Sequence, residues 1–180
     1  MIITGGSCKG RKINTVKSRE VRPTSSKIRE SIFNMIYSSI TDSVMLDLFA
    51  GSGIIGLESL SRGAKKVYFV ENNPKVYRLL KENLSNFDFN YETKFSDALV
   101  ALDNFQDIKF DMIFIDPPYA SGLIEPVLIK IKNSTLLSED GIVIIEHSSN
   151  FQISDKVIEL GFSILKEKKY GDTSITIVDL

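Results

Sequence analysis

Val44-Met-Leu-Asp47-Leu-Phe49-Ala-Gly51-Ser-Gly53-Ile-Ile-Gly56 is the stretch whose reading decides the fold. A short apolar run ends in an acid, glycines turn the chain, and Ile54 to Arg62 can form a helix that Gly63 stops. Glycine suits such a strand-to-helix turn, because the backbone bends sharply there and lets a ligand approach closely.

The alternation continues downstream. Val67-Tyr-Phe-Val70 reads as a strand ending at Glu71, and Asn73-Pro74 caps a helix in which Val76, Tyr77, Leu80 and Leu84 recur. Tyr91–Phe95 is a weak strand, Phe110–Ile115 a strong one, and Leu123–Lys132 a helix with Pro126 in its first turn. Gly141–Ile145 is a fully apolar strand. Two last strands, around 162–166 and 174–178, are joined by Lys169-Tyr-Gly-Asp-Thr173, too short for a crossover helix. Strands alternating with helices predict an α/β fold, a parallel sheet covered on both faces, and the closing hairpin adds an antiparallel strand.

Upstream, residues 1–21 read as short strands and turns around Gly5-Gly6 and Gly10. Arg22-Pro23-Thr24 then opens a helix whose Ile28, Ile32, Met35, Ile36 and Ile40 form an apolar stripe. Residues 1–42 are therefore expected as a basic extension packed on a core of residues 43–180. Residues 1–40 carry eight basic and two acidic side chains, net +6, against net −7 for the remainder. A basic arm on an acidic body points to a polyanionic partner, and the overall balance of −1 argues against nonspecific coating of nucleic acid.

At 180 residues, 43% hydrophobic and 25% charged, the chain is an ordinary one-domain globular mixture, not a disordered one. No apolar run of about 18 residues is present, so no membrane span is expected. The first residues do not read as a secretory signal. One cysteine, Cys8, excludes an internal disulfide, and one histidine, His147, leaves no Cys/His zinc site. A reduced, cytoplasmic protein is expected. His147 reads as a strand-end or surface residue.

Glu71 lies twenty residues after Gly51, at the end of the next strand. Its carboxylate can accept from both hydroxyls of a ribose, which argues for an adenosine-containing ligand. Gly51, Gly53 and Gly56 also fit the dinucleotide fingerprint, so a nicotinamide-dependent oxidoreductase is an alternative. Asp47 weighs against it: a carboxylate there opposes a pyrophosphate and suits the ammonium and sulfonium of S-adenosylmethionine. Asp97 could accept from the adenine amino group.

Asp116-Pro117-Pro118-Tyr119 is the most specific signal, a word expected by chance in roughly one chain of this length in a thousand. It sits at the end of a strong strand, on the same edge as the glycine turn. It suits methylation of an exocyclic amine on a planar base, whose lone pair is delocalised into the ring. The Asp116 carboxylate and the Pro117 carbonyl can accept both amine N–H groups and localise that lone pair. Positive charge then develops beside fixed acceptors. Pro118 stiffens the loop, and Tyr119 offers a face for stacking a base that has left its helix.

The chain resembles the bacterial 16S rRNA guanine-N2 methyltransferase family of the RsmD type. The match runs through Gly5-Gly6-Ser-Cys-Lys9-Gly-Arg11, Arg22-Pro-Thr24, Arg29-Glu-Ser-Ile-Phe-Asn34, Leu46-Asp-Leu-Phe-Ala-Gly-Ser-Gly53, Gly56–Ala64, Asp116–Tyr119 and Tyr170-Gly-Asp-Thr173. An arginine that the family pattern places immediately after Met1 is absent. The resemblance implies a class I S-adenosylmethionine-dependent methyltransferase (Rossmann-like) fold, with a seven-stranded, mostly parallel sheet and one antiparallel strand. It implies methylation of the N2 amino group of one guanine in 16S rRNA, within the small ribosomal subunit or its precursor, by a monomer without a metal. By position, Asp47, Phe49, Gly51, Gly53, Glu71, Asn72 and Asp97 would line the cofactor site and Asp116, Pro117, Pro118 and Tyr119 the target-base site. Lys9, Arg11, Arg22, Thr24 and Arg29 would contact RNA. Action on DNA or on another RNA is the alternative within the same chemistry, and a non-catalytic RNA-binding protein is the alternative outside it.

Overall fold

The computed structural model describes residues 1–15, 24–105, 107–118 and 121–180. Seven strands form one sheet: β1 (Val44–Asp47), β2 (Lys66–Glu71), β3 (Tyr91–Phe95), β4 (Phe110–Ile115), β5 (Leu137–Ser148), β6 (Ser163–Tyr170) and β7 (Thr173–Asp179). Their order is β3-β2-β1-β4-β5-β7-β6. The first five are mutually parallel, and β7 runs antiparallel to both of its neighbours. The single reversed strand expected from the short closing connection is thus present. Order reverses between β1 and β4, which opens a crevice at the carboxyl ends of the central strands.

Seven helices are described: α1 (Ser26–Met35), α2 (Tyr37–Ile40), α3 (Ile54–Ser61), α4 (Pro74–Leu84), α5 (Ala98–Asp103), α6 (Ile124–Lys132) and α7 (Ile153–Glu159). Their boundaries follow local chemistry. The Ser25 hydroxyl accepts from the Ile28 N–H at the start of α1, and Asn73 Oδ1 accepts from the N–H groups of Lys75 and Val76 at the start of α4. Gly63, at φ 106°, ends the α3 turn. The single long stripe from Ile28 to Ile40 divides into α1 and α2 at Ile36. The helices α5 and α7 have no counterpart in the sequence expectation.

Alternation along the strands sends side chains to two separate cores. Met45, Phe69, Met112, Phe114, Ile144 and Ile175 face one, together with α1, α3 and α4. Leu46, Tyr68, Ile113, Ile115, Val143 and Ile145 face the other, together with α5, α6 and α7. The first core also takes Ile3 and Ile13 from the N-terminal segment. That segment is a hairpin: Ile2 bridges Lys12, Ile3 N–H donates to Arg11 O at 3.0 Å, and Ile13 N–H donates to Met1 O at 2.9 Å.

One buried acid ties the extension down. Glu58 on α3 is fully buried and accepts from Arg29 Nε at 2.9 Å, from Thr4 Oγ1 at 2.7 Å and from Arg62 Nη2 at 3.3 Å. The hairpin, α1 and α3 therefore meet at one carboxylate, whose burial requires such partners.

Candidate active site

The site lies where β1, β2, β4 and β5 end. In the register, Asp47 of β1 pairs with Phe114 of β4, and Ile115 of β4 pairs with Ile145 of β5. Asp47, Asp116 and Glu146 each continue the alternation that places Met45, Phe114 and Ile144 in the first core. Three carboxylates therefore converge on one face at one edge of the sheet.

Asp47 is buried, and its Oδ2 accepts from the Gly56 N–H at 3.2 Å. Burial pushes its pKa up to about 7; the Gly56 N–H pulls the other way, and the Glu71 charge adds to the rise. Asp116 is raised well above the usual carboxylate range, first by burial and then by the charges of Glu146 and Asp47. Asp47 and Asp116 therefore hold their protons more tightly than free carboxylates do. They are poised to exchange them for a cation or for N–H donors.

The turn after β1 is shaped as its sequence requires. Gly51 and Gly53 have φ 54° and 83°, in the left-handed region. A Cβ at Gly53 would come within 2.6 Å of the Leu80 side chain, whereas one at Gly51 would meet nothing nearer than Phe49 O at 4.0 Å. The backbone at Gly51 is thus open on that side. Glu71 holds the turn from β2: its Oε2 accepts from the Gly51 N–H at 3.0 Å and its Oε1 from the Asn73 N–H at 2.7 Å. Asp97 ends the β3 segment and caps α5, accepting from Leu99 N–H at 2.9 Å. Phe49 is half-buried against the second core, and Asn72 is exposed.

Asp116 follows β4 directly, as its position in the sequence required, with Pro117 buried and Pro118 exposed. The Pro118 carbonyl accepts from the Ser121 N–H at 2.8 Å, which closes the loop. Tyr119 and Arg22 lie outside the described residues.

The expected RNA contacts separate. Lys9 is exposed and borders a surface cavity of about 540 Å³ whose wall includes Met1, Ile2, Thr24, Ser25 and Glu30. The exposed Arg11 donates to Asn86 O and stacks its guanidinium 3.9 Å from the centre of the Phe87 ring. Arg29 departs from the expectation. It is 2% exposed and its nitrogens donate to Glu58 Oε1, Thr24 O and Ile2 O, so although it borders the same cavity as Lys9 its charge is spent on tying the extension together. Thr24 is buried too: it lies in the wall of that cavity and donates its hydroxyl to Glu146 Oε2 at 2.8 Å, which ties the extension to the end of β5.

Glu146 and Glu58 were not singled out in the sequence. For Glu146 a signal exists: like Glu71 and Asp116, it directly follows an apolar strand run. His147 lies near the end of β5 but is buried, against the expected surface position. Its Nε2 meets Thr176 Oγ1 at 2.9 Å, its Nδ1 meets Ser148 O at 2.9 Å, and burial lowers its pKa. Alternation turns it away from the face of Glu146.

The sheet order, the glycine turn backed by Glu71 and the acid-Pro-Pro loop define a class I methyltransferase. Comparison with known proteins carries this further: a model of the family described as Conserved hypothetical protein 95 matches residues 1–179, and the chain belongs to that family. It is 32% identical over 176 residues to Ribosomal RNA small subunit methyltransferase D of Haemophilus influenzae, covering 96% of this chain and 90% of the relative. The Escherichia coli protein of the same name is 31% identical over 173 residues, covering 96% and 86%. The solved structure of the Escherichia coli protein yhhF superposes with a TM-score of 0.84 at 28% identity, covering 99% of this chain and 96% of that one. These relatives bear out the RsmD resemblance and leave no support for the oxidoreductase alternative.

Proposed function

We propose that this protein transfers a methyl group from S-adenosylmethionine to the exocyclic N2 amino group of a guanine in 16S rRNA. The observation that carries the reading is the position of Asp116 and Pro117 at the end of β4, beside the β1 glycine turn and on the face shared by Asp47. The relatives named for ribosomal RNA small subunit methylation support rRNA as the substrate.

The donor set fits the cofactor. Asp47 is a buried carboxylate that accepts from the Gly56 N–H, which suits a cationic amino acid group and opposes a pyrophosphate. Glu71 stands at the end of β2, where two ribose hydroxyls can be held, and the open backbone at Gly51 admits close approach. Phe49, Asn72 and Asp97 border the same edge. When bound, S-adenosylmethionine supplies an electrophilic methyl on a sulfonium.

This chain's own residues do the rest. The Asp116 carboxylate and the Pro117 carbonyl accept the amine N–H groups and orient its lone pair. They stabilise the positive charge that develops on nitrogen more than they stabilise the neutral amine. Holding the amine in line with the methyl converts an encounter into an intramolecular step. Asp116 can then take the proton that the methylated amine releases. Residues 43–180 form the methyltransferase unit on this reading. Residues 1–42 dock RNA, with Lys9 the exposed cation bordering the cavity and Arg22 and Tyr119 completing the RNA and base contacts.

The assay is transfer of labelled methyl from S-adenosylmethionine to unmethylated 30S subunits, followed by mass-spectrometric mapping. Label in N2-methylguanine of 16S rRNA is the expected outcome. Label confined to DNA, or to another base, overturns the reading.

A further inference from the structure

Asn83 stands on α4 at a core position. Val76, Leu80 and Leu84 form the buried stripe of that helix, and Asn83, 1% exposed, lies on the same stripe. An apolar side chain would fill such a place at less cost, since a buried amide must find partners for its polar atoms. It finds them in two parts of the molecule that lie far apart in the sequence. Its Nδ2 donates to Ser52 O at 2.9 Å and to Asn14 O at 2.9 Å, and its Oδ1 accepts from the Asn14 N–H at 2.9 Å. The Asn14 N–H can only donate and the two carbonyls can only accept, so the partners fix which way the amide points.

The two partners belong to the two halves of the proposed reaction. Ser52 stands between Gly51 and Gly53 in the glycine turn, and a Cβ at Gly53 would strike Leu80 of the same helix. Asn14 directly follows the hairpin that carries Lys9 and Arg11. That hairpin leans on the end of α4 a second time, where Arg11 donates to Asn86 O and stacks on Phe87. Further along, Thr24 is tied to Glu146. Asn14 and Thr24 thus bracket the basic residues Lys17, Arg19 and Arg22 in the chain, one tied to the glycine turn and the other to the end of β5.

From this shared support we propose that Asn83 couples the glycine turn to the extension, so that a cofactor held at the turn tightens RNA binding and RNA tightens the hold on the cofactor; the inference rests on the methyltransferase reading above. Asn83 is a positioning residue that acts through Ser52 and Asn14. A ligand that orders the turn fixes Ser52 O, and through the amide it fixes Asn14. Less ordering then remains for the second ligand to impose. The link is directional, as hydrogen bonds are and apolar packing is not. By thermodynamic linkage, one factor describes both directions of the effect.

The test measures the affinity of the full-length protein for unmethylated 30S subunits with and without saturating S-adenosylhomocysteine, the demethylated cofactor, which permits no turnover. Equilibrium dialysis of labelled S-adenosylhomocysteine with and without subunits gives the reverse factor. The wild type should bind subunits about 5- to 50-fold more tightly when the cofactor site is filled, with the same factor in reverse. Asn83→Ala removes all three bonds. Asn83→Asp keeps the bond from the Asn14 N–H but sets a carboxylate against the Ser52 and Asn14 carbonyls. Each variant should bring the factor within about twofold of one while still binding either ligand alone. Loss of fold does not imitate this result: a partly unfolded variant is refolded by its ligand, which raises the factor. A wild-type factor of one or below overturns the coupling and leaves the methyltransferase reading standing. A variant that keeps the wild-type factor overturns the part played by Asn83. A wild type that binds the cofactor but transfers no label to 16S rRNA overturns both.

Discussion

Replacing Asp47 by asparagine tests whether the glycine turn is built around a buried charge. The folded-state pKa of about 7 lies above the ordinary value of 3.8. The folded protein therefore binds this proton more tightly than the unfolded chain does. The stabilisation is fully present below pH 3.8 and is lost as pH rises through about 7. Between those limits one extra bound proton makes unfolding free energy fall by about 1.4 kcal/mol per pH unit, with a ceiling of about 4 kcal/mol over the whole window. Asparagine keeps an oxygen for the Gly56 N–H but does not titrate. The Asp47→Asn variant should thus lose about one proton's worth of slope between pH 5 and 6.5, and should be the more stable protein at pH 8. Removing the charge also relaxes Asp116, which changes the slope in the same direction. The same variant should bind S-adenosylmethionine at least about tenfold more weakly at pH 8, since a charge-assisted contact is lost. The measurements are urea titrations followed by far-ultraviolet circular dichroism at a series of pH values, and calorimetric titration of the cofactor. Equal slopes in the two proteins would show that Asp47 does not hold the proton and would refute the electrostatic account of the turn.

Three further outcomes follow from the site and its supports. Asp116→Asn should reduce kcat by about 10²- to 10³-fold while the cofactor still binds, because one acceptor that acts on developing charge is removed; single-turnover kinetics with saturating cofactor measure this. Arg29→Ala should destabilise the fold by about 3–5 kcal/mol, since it leaves the fully buried Glu58 short of a partner; an unchanged melting temperature together with lost RNA affinity would return Arg29 to the RNA surface. Lys9→Ala should weaken RNA binding evenly across sequences and lower the log–log salt slope by about one, with Arg11→Ala weaker in effect because Arg11 already bonds Asn86 O; filter binding at several salt concentrations separates the two.

The central strands β1, β2, β4 and β5 were legible because each carries a continuous apolar run that ends at an acid. Phe110–Ile115 has the same bounds in sequence and structure, and Gly63 stops the helix where it should. The helices α5 and α7 were not legible, because six and seven residues make under two turns and show too little period to stand out. Both cluster positions named from motifs, Asp47 and Asp116, come together in space because β1 and β4 are neighbours, a pairing no linear reading displays. The two buried partners of the extension were misjudged for one reason. The resemblance assigns Arg29 and Thr24 to RNA contact, whereas their partners Glu58 and Glu146 stand 29 and 122 residues further along the chain. Nothing local announces such a contact.

Those two long-range contacts also bear on why an extension is attached to this fold at all. A buried ion pair contributes little net stability compared with an apolar replacement, so the Arg29–Glu58 pair is better understood as fixing position. Glu58 sits on α3, which starts at the glycine turn, and Thr24 reaches Glu146 at the end of β5. Arg29 Nη1 joins the two anchors by donating to Thr24 O. The start of α1 is thereby held relative to both the turn and the end of β5. On the proposed chemistry, the sheet presents the cofactor with Asp47, Glu71 and the glycines, and the extension reaches the same edge through Thr24. The buried contacts of the extension thus tie it to the cleft edge, and on the proposed function its exposed charges are left for RNA.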